Sequence, residues 1–190
     1  MPSAPSRKEL THDRILDVAS RAIRRAGYDG VGLATIMKEA GLTHGGFYAH
    51  FASRDALLAE ATQRAGRDTG AVLAERLRQA QARGLRPFAA LVQTYLADAQ
   101  LDNAECGCVV AALASEIPRQ ADEVAEAARA RVLGLVELVR RTLPAGADDA
   151  QAQMAAATMV GTLQLARALK GKAGKAWLAN ARDSLIPTPF

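Results

Sequence analysis

The stretch from Leu33 to Asp55, LATIMKEAGLTHGGFYAHFASRD, constrains the fold more than any other part of the chain. It begins with apolar residues at the spacing of one helical face: Leu33, Ile36, Met37 and Ala40. Gly41 follows directly, and glycine readily adopts the left-handed conformation that ends a helix. Thr43 then offers a hydroxyl N-cap for a second short helix. The stretch therefore predicts two short helices joined by a tight turn.

This arrangement is a helix-turn-helix, a motif whose second helix enters the major groove of DNA. We therefore expect residues 43–54, called the recognition segment, to bind DNA. The alternative is an ordinary helical hairpin in a core, joined by chance through a glycine. Phe47 and Phe51 should belong to the core, because helical spacing turns them away from Tyr48.

The composition favours a helical protein. The 190 residues suffice for a sizeable core, and 49% are hydrophobic but only 4% aromatic, so small aliphatic residues must form most of that core. A net charge of +4 and a pI of about 9.4 suit a nucleic-acid binder without requiring one. No apolar run approaches the ~18 residues of a membrane span, and the N-terminus lacks the apolar segment of a secretory signal. We expect a cytoplasmic protein with no membrane partner.

Capping and breaking residues divide the chain into an N-terminal head and a longer helical body, with predicted domain limits of 1–52 and 53–190. Ser6 and Glu9 have the spacing of a capping box at the start of the first helix. Ser53 offers a cap for a long helix that joins the head to the body. The later breaks predict helices at about 87–100, 103–117, 120–143, 148–170 and 176–185.

The segment AGLTHGGFYAHFASRDALL resembles the signature of TetR-family transcriptional repressors, and the resemblance extends from Ile15 to about Ala61. The family's conserved tyrosine and phenylalanine fall on Tyr48 and Phe51. The resemblance implies an all-α fold of about nine helices, with a three-helix helix-turn-helix head and a C-terminal helical bundle. It also implies a homodimer formed through the last two long helices, a ligand pocket in the body, and double-stranded operator DNA as the partner.

Carried over by position, the resemblance assigns DNA contacts to six residues: Thr43, His44, Gly45, Tyr48, His50 and Arg54. The Tyr48 hydroxyl and the Arg54 guanidinium suit phosphate oxygens, and the two histidines are candidates for bonds to bases or backbone. The chain departs from the family pattern at Gly32, Gly46 and Ala49, where Thr, Thr or Ser, and Arg are common. Few long side chains remain to read bases, so we expect DNA shape to contribute more than usual.

Cys106 and Cys108 flank Gly107 at the start of a predicted helix. They are either small packing residues, one of them buried, or a thiol sensor, because a cysteine near a helix N-terminus has a lowered pKa. The segment also resembles that of the electrophile-sensing family member that controls N-ethylmaleimide reductase, and this resemblance selects Cys108. Two thiolates supply half of a tetrahedral metal site, so we predict no metal and no cofactor. A thiol-dependent redox enzyme would need a nearby base, whereas all three histidines lie in the head.

The helix predicted at about 148–170 is apolar nearly all round and therefore needs cover on both sides. We interpret it as a dimer interface, with contacts at Met154, Met159, Val160, Gly161 and Leu163. Three aromatic residues are candidates for a ligand pocket, although core or interface positions explain them equally well: Phe88, Tyr95 and Trp177. The expected function is a homodimeric repressor, without catalytic residues, that a small-molecule or thiol-reactive signal releases from DNA. An effector-independent DNA-binding protein is the alternative.

Overall fold

The computed structural model of the chain describes residues 4–186, which form nine α-helices and three short 3₁₀ helices and, within that range, no β-strand. The prediction of an all-α fold is confirmed. The predicted domains reach into residues 1–3 and 187–190, which lie outside the described residues. The α-helices are α1 Arg7–Ala26, α2 Leu33–Glu39, α3 Arg54–Ala82, α4 Pro87–Tyr95, α5 Ala99–Asp102, α6 Val109–Leu113, α7 Asp122–Thr142, α8 Asp149–Leu169 and α9 Gly171–Leu185. The 3₁₀ helices are His44–Ala49, Ala104–Cys106 and Ile117–Arg119.

Side-chain caps start three of the long helices. Ser6 and Glu9 form the predicted capping box, in which each side chain binds the backbone N–H of the other residue. Ser53 accepts a hydrogen bond from a backbone N–H in the first turn of α3, at 3.0 Å. Asp148 and Gln151 form a second capping box on α8. A cap of this kind stabilises a helix by about 1 kcal/mol.

The head is built on α1, which packs against α2 and against the first half of α3. Phe47 is 0% exposed and Phe51 is 3% exposed, which confirms that both belong to the core. Gly41 ends the turn after α2 with a φ of 71°, as the helix-turn-helix requires. The N-terminal half of α3 completes the head core with fully buried side chains such as Leu57 and Leu58. One helix therefore belongs to both the head and the body.

In the body, α4, α6 and α7 pack against α3, α8 packs against α6 and α7, and α9 packs on α8. Two helix predictions were too long. The helix expected at 87–100 ends at Tyr95, where Arg182 of α9 donates to the Leu96 carbonyl at 2.5 Å. The helix expected at 103–117 is interrupted because Gly107 has an extended backbone, with φ of −82° and ψ of −172°. Between residues 4 and 186, no helix is both long enough and apolar enough to cross a membrane.

Candidate DNA-binding and effector sites

The recognition segment contains the 3₁₀ helix His44–Ala49 where the sequence predicted an α-helix. Two consecutive glycines, Gly45 and Gly46, account for the difference, because each disfavours the α-helix by about 1 kcal/mol relative to alanine. The predicted cap by the Thr43 hydroxyl was wrong: this side chain makes no capping hydrogen bond. The Thr43 carbonyl instead accepts from the Gly46 N–H at 3.1 Å. The Thr43 side chain is exposed on the surface of the head.

One face of the recognition segment is open to solvent. Tyr48 is 70% exposed, although its ring meets the buried ring of Phe47 edge-on at 5.1 Å. His44 is also exposed. A Cβ added at Gly45 or Gly46 would meet no heavy atom of the described protein within 4 Å, and neither glycine has a positive φ. The fold itself therefore does not require glycine at either position.

His50 is half-buried at the end of this segment, and its Nδ1 has no hydrogen-bond partner among the described residues. Burial, and then the positive charges of His12 and Lys8, lower the pKa of His50. His12 stacks on Phe51 at 4.4 Å, and its Nε2 lies 2.9 Å from the Glu60 carboxylate. No local pattern predicts that His12 lies beside the recognition segment, because its neighbours are Phe51 of that segment and Glu60 of α3.

Arg54, the first residue of α3, forms a hydrogen bond within the protein although its side chain is exposed. Its Nη2 donates to the Tyr28 carbonyl at 2.6 Å. The Tyr28 N–H donates in turn to the Glu116 carboxylate at 2.8 Å, and the Tyr28 hydroxyl bonds Thr62 at 2.9 Å. Part of the Arg54 guanidinium therefore holds the head together and connects it to the body through Glu116.

Two cavities meet at Cys108 in the body, with volumes of about 220 and 170 Å³. The first is also lined by Cys106, which is exposed, and the second by Arg131. Cys108 is only 9% exposed and starts α6. The residues that line both cavities are Thr69, Leu73, Tyr95 and Cys108. A small molecule in either cavity would therefore lie against the Cys108 side chain.

Of the three aromatic residues considered for a ligand pocket, the structure places Tyr95 in the walls of both cavities. Phe88 and Trp177 line neither of these two cavities. Phe88 is half-buried and packs on the core, and Trp177 is 44% exposed on α9. The described residues hold no group of three or more histidine, cysteine or acidic side chains that could bind a metal ion.

The Tyr95 hydroxyl is buried and has no hydrogen-bond partner among the described residues. Burial raises the pKa of Tyr95 well above its ordinary value, the neighbouring Cys108 adds to the increase, and Arg167 opposes it. The Arg167 guanidinium is itself partly buried, which lowers its pKa. Its Nε donates to the Gln100 carbonyl at 3.0 Å, while its Nη2 is without a partner in the same part of the chain.

A buried arginine connects the cysteines to the head. Arg24, near the end of α1, donates from Nη1 to the Gly107 carbonyl and to the Thr69 hydroxyl, both at 3.2 Å. The one proton of the Thr69 hydroxyl is shared between the Ala65 carbonyl, at 2.8 Å, and the Gly107 carbonyl, at 3.0 Å. Burial lowers the pKa of Arg24, and the nearby Cys106 opposes the shift. The peptide between the two cysteines is thus held by α1 of the head and by a residue that lines both cavities.

A second link lies beside the first. The Arg25 guanidinium forms ion pairs with two carboxylates, each at 3.2 Å. One belongs to Glu105, in the 3₁₀ helix that ends at Cys106, and the other to Glu39 at the end of α2. Sequence reasoning missed these contacts because Arg24 and Arg25 lie on the charged side of α1, which patterns alone assign to solvent.

The residues proposed for a dimer interface divide between two faces of α8. Met154 is 69% exposed, and Val160 and Gly161 are partly exposed. Met159 and Leu163 are corrected, because both are 0% exposed within their own chain and belong to its core. Three large apolar side chains that were not predicted as interface residues are exposed: Leu165 and Leu169 on α8, and Trp177 on α9.

An exposed helix-turn-helix joined to a helical body with an internal cavity indicates a DNA-binding transcriptional regulator. Residues 15–61 match the model of the family described as bacterial regulatory proteins, tetR family. Residues 15–61 of the chain therefore form a TetR-family DNA-binding domain, and the chain shares its fold with solved TetR-family regulators. No curated protein is significantly similar to it in sequence.

Solved structures of similar fold cover nearly the whole chain. A TetR-family regulator from Agrobacterium tumefaciens has a TM-score of 0.70 at 25% identity, over 94% of this chain and 97% of that one. The reduced form of E. coli NemR has a TM-score of 0.75 at 20% identity, over 92% and 94% of the two chains. A regulator from Legionella pneumophila has a TM-score of 0.73 at 21% identity, over 97% of each chain.

Proposed function

We propose that the chain is a homodimeric repressor that binds operator DNA through the recognition segment. A small molecule or a thiol-reactive compound acting in the body would release it. The observation that carries the proposal is the contact between Arg24 of the head and the Gly107 carbonyl, which lies between Cys106 and Cys108. A change at Cys108 can reach the head through this bond.

The proposed DNA contacts are Thr43, His44, Gly45, Tyr48, His50 and Arg54. Support comes from the exposure of Thr43, His44 and Tyr48 along one side of the head, where their hydroxyl and imidazole groups are available to phosphates and bases. The open space around Gly45 adds to this support, because a glycine that the fold does not need is free to admit a close partner. Arg54 would contribute with the part of its guanidinium that Tyr28 does not engage.

Gly45→Ala is expected to lower operator affinity by about tenfold and to leave the melting temperature unchanged or slightly raised. The added methyl meets no protein atom within 4 Å, and alanine reduces the entropy of the unfolded chain. A methyl pressed against DNA, in contrast, costs on the order of the 1–3 kcal/mol of one specific contact. Fluorescence anisotropy with an operator selected from DNA beside the coding region measures the affinity, and calorimetry measures the melting temperature.

The matched control is Gly70→Ala, on α3 of the body, where an added Cβ also meets nothing within 4 Å. It should leave operator affinity unchanged. Equal affinities for Gly45→Ala, Gly70→Ala and wild type at both low and moderate salt would remove Gly45 from the DNA interface.

The signal is proposed to act at Cys108. An electrophile such as N-ethylmaleimide forms a bond between the thiol sulfur and one alkene carbon, and the other alkene carbon takes up the proton. Cys108 is only 9% exposed and borders both cavities, so the adduct would fill part of a cavity and press on the residues that line it. The adjacent Gly107 carbonyl would then move relative to Arg24 and Thr69. Loss of these bonds would free the end of α1 and alter the position of the head.

The similarity to E. coli NemR gives this part of the proposal a second support. NemR shares the fold over nearly the full length of both chains, and its structure is described as a reduced form. A structure named for its reduced state supports the proposal that thiol chemistry also regulates the present chain. For the present chain, the thiol that borders both cavities is the candidate.

Cys108→Ser is expected to abolish the release of operator DNA by N-ethylmaleimide, whereas Cys106→Ser should retain it. Cys106 is exposed and can carry an adduct in solvent, whereas an adduct on the buried Cys108 would lie in a cavity of the body and press on its walls. Anisotropy before and after treatment measures release, and mass spectrometry of the intact protein counts the adducts.

The two cysteines serve as controls for each other, because each variant retains one reactive thiol. Full release of Cys108→Ser would contradict the assignment. If no thiol reagent and no small molecule released the wild type, the protein would bind DNA independently of an effector.

The proposed homodimer forms through α8 and α9. Exposed apolar side chains follow one side of α8 at helical spacing, from Met154 through Gly161 and Leu165 to Leu169, and Trp177 continues the surface on α9. A contiguous apolar surface of this kind is typical of an interface between proteins. A dimer would place two recognition segments on one operator, with half-sites one or more helical turns apart.

A further inference from the structure

We infer that the two cavities at Cys108 bind a small carboxylic acid, with its carboxylate at Tyr95 and Arg131, which both line the second cavity, and its apolar part along the leucines of α3, α7 and α8. The inference rests on the proposed function in that the acid would act as the effector. Its binding can be tested separately from its effect on DNA.

The charged side chains around the two cavities are all positive. Arg76 lines the first cavity and Arg131 the second, and Arg167 is close enough to Tyr95 and Cys108 to affect the pKa of Tyr95. No aspartate or glutamate lines either cavity. Within residues 4–186, none of the three arginines has a carboxylate within 4.0 Å. An anion is therefore favoured here, and an amine is disfavoured.

Three buried donor atoms near Cys108 have no nitrogen or oxygen partner in the described part of the chain: the Tyr95 hydroxyl, which lies beside the Cys108 thiol, Arg131 Nε, and Arg167 Nη2, which lies beside Gly107. Tyr95 is 4% exposed, so its hydroxyl is well removed from bulk solvent. Buried donors without acceptors are unfavourable, and two of these three belong to cations. A carboxylate offers two acceptor oxygens together with a negative charge, which makes it the small functional group that suits this set of donors.

Two glycines make room for the arginines. A Cβ at Gly66 of α3 would overlap the Arg131 side chain, and a Cβ at Gly107 would overlap the Arg167 guanidinium. Any other residue at either position would force an arginine away from its present place. The positions of both cations therefore depend on small residues in neighbouring segments, which is typical of a built site rather than of loosely placed surface charge.

The rest of the cavity walls is apolar. Leu73 borders both cavities, Leu163 the first, and Leu135 and Leu138 the second. Volumes of about 220 and 170 Å³ suit a medium-length aliphatic chain or a single aromatic ring. The predicted ligand is thus an acid with one apolar arm, and its arm would lie against Cys108.

Butanoate, octanoate and 3-phenylpropanoate, each paired with its primary amide, provide the test. Isothermal titration calorimetry with the full chain should give a dissociation constant at least about tenfold lower for the best acid than for its amide. Tyr95→Phe and Arg131→Met should each reduce that preference by about tenfold, because the first removes a hydroxyl donor, the second removes a charged guanidinium, and both retain most of the side-chain volume. Circular dichroism would verify that both variants are folded.

Arg129→Met is the matched control, because Arg129 is an exposed residue of the same helix and lines neither cavity. It should retain the preference for the acid. Acids that bind no better than their amides, or an unchanged preference in both Tyr95→Phe and Arg131→Met, would overturn the inference. An acid that binds with these preferences but leaves operator affinity unchanged would support the site and contradict the effector role in the proposed function.

Discussion

Leu165→Glu is expected to convert the dimer into monomers and to lower operator affinity by about 100-fold or more. Leu165 is 52% exposed on α8, in the middle of the apolar surface from Met154 to Leu169. A dimer would bury this side chain, and a glutamate there would carry an unpaired charge into the interface, which costs several kcal/mol. Loss of the second head removes the gain in effective concentration of 10²- to 10⁴-fold that two linked binding modules provide. Sedimentation velocity and anisotropy measure the two effects.

Leu133→Glu is the matched control, because Leu133 is 70% exposed but lies on α7. It introduces the same charge on an exposed leucine and should leave the dimer intact. Both variants should fold, since neither leucine is buried in its own chain. A Leu165→Glu protein that remains dimeric would place the interface elsewhere on the molecule.

Tyr48→Ala is expected to lower operator affinity by about 10- to 100-fold and to change the melting temperature little. The Tyr48 side chain is 70% exposed, so its removal takes little from the core. A hydrogen bond from its hydroxyl to a phosphate is charge-assisted and contributes about 1.5–3 kcal/mol. Anisotropy at two salt concentrations measures the loss, which should be similar across operator sequences because phosphate contacts carry no base information.

Tyr48→Phe separates the hydroxyl from the ring. If the phosphate bond accounts for the effect, Tyr48→Phe should lose most of the affinity that Tyr48→Ala loses. Affinity retained by Tyr48→Phe but lost by Tyr48→Ala would assign the contribution to ring packing on the DNA backbone. Unchanged affinity in both variants would exclude Tyr48 from the interface.

Local chemistry predicted the head well. The glycine turn at Gly41, the Ser6 and Ser53 caps and the burial of Phe47 and Phe51 all depend on neighbours within a few residues, and each is present. The exception is the recognition segment, where two glycines replace the expected α-helix by a 3₁₀ helix. Helix propensity could have predicted this difference, because Gly45 and Gly46 are adjacent and each disfavours an α-helix.

The body was less predictable because its determinants are distant in sequence. Cys108 became a candidate through its position after Gly107, but its placement between two cavities depends on α3, α4 and α7 together. Met159 and Leu163 lie on the core side of α8, and exposed apolar residues lie on its other side. Periodicity cannot distinguish a side that packs in the core from a side proposed as an interface. The Arg24 bond to Gly107 spans 83 residues, and no local pattern predicts such a contact.

Helix α3, with 29 residues, would act as a lever between the cavities and the DNA in the proposed repressor. Its length is about 44 Å, and about 22 Å separate Thr69, on the cavity wall, from Arg54 at the head. A tilt of about 10° around Thr69 would displace Arg54 by about 4 Å, which is close to the rise of one base pair. In a dimer, the two heads would change their separation by up to about twice that distance. A rearrangement too small to disturb the body core could thus bring one recognition segment out of register with its half-site.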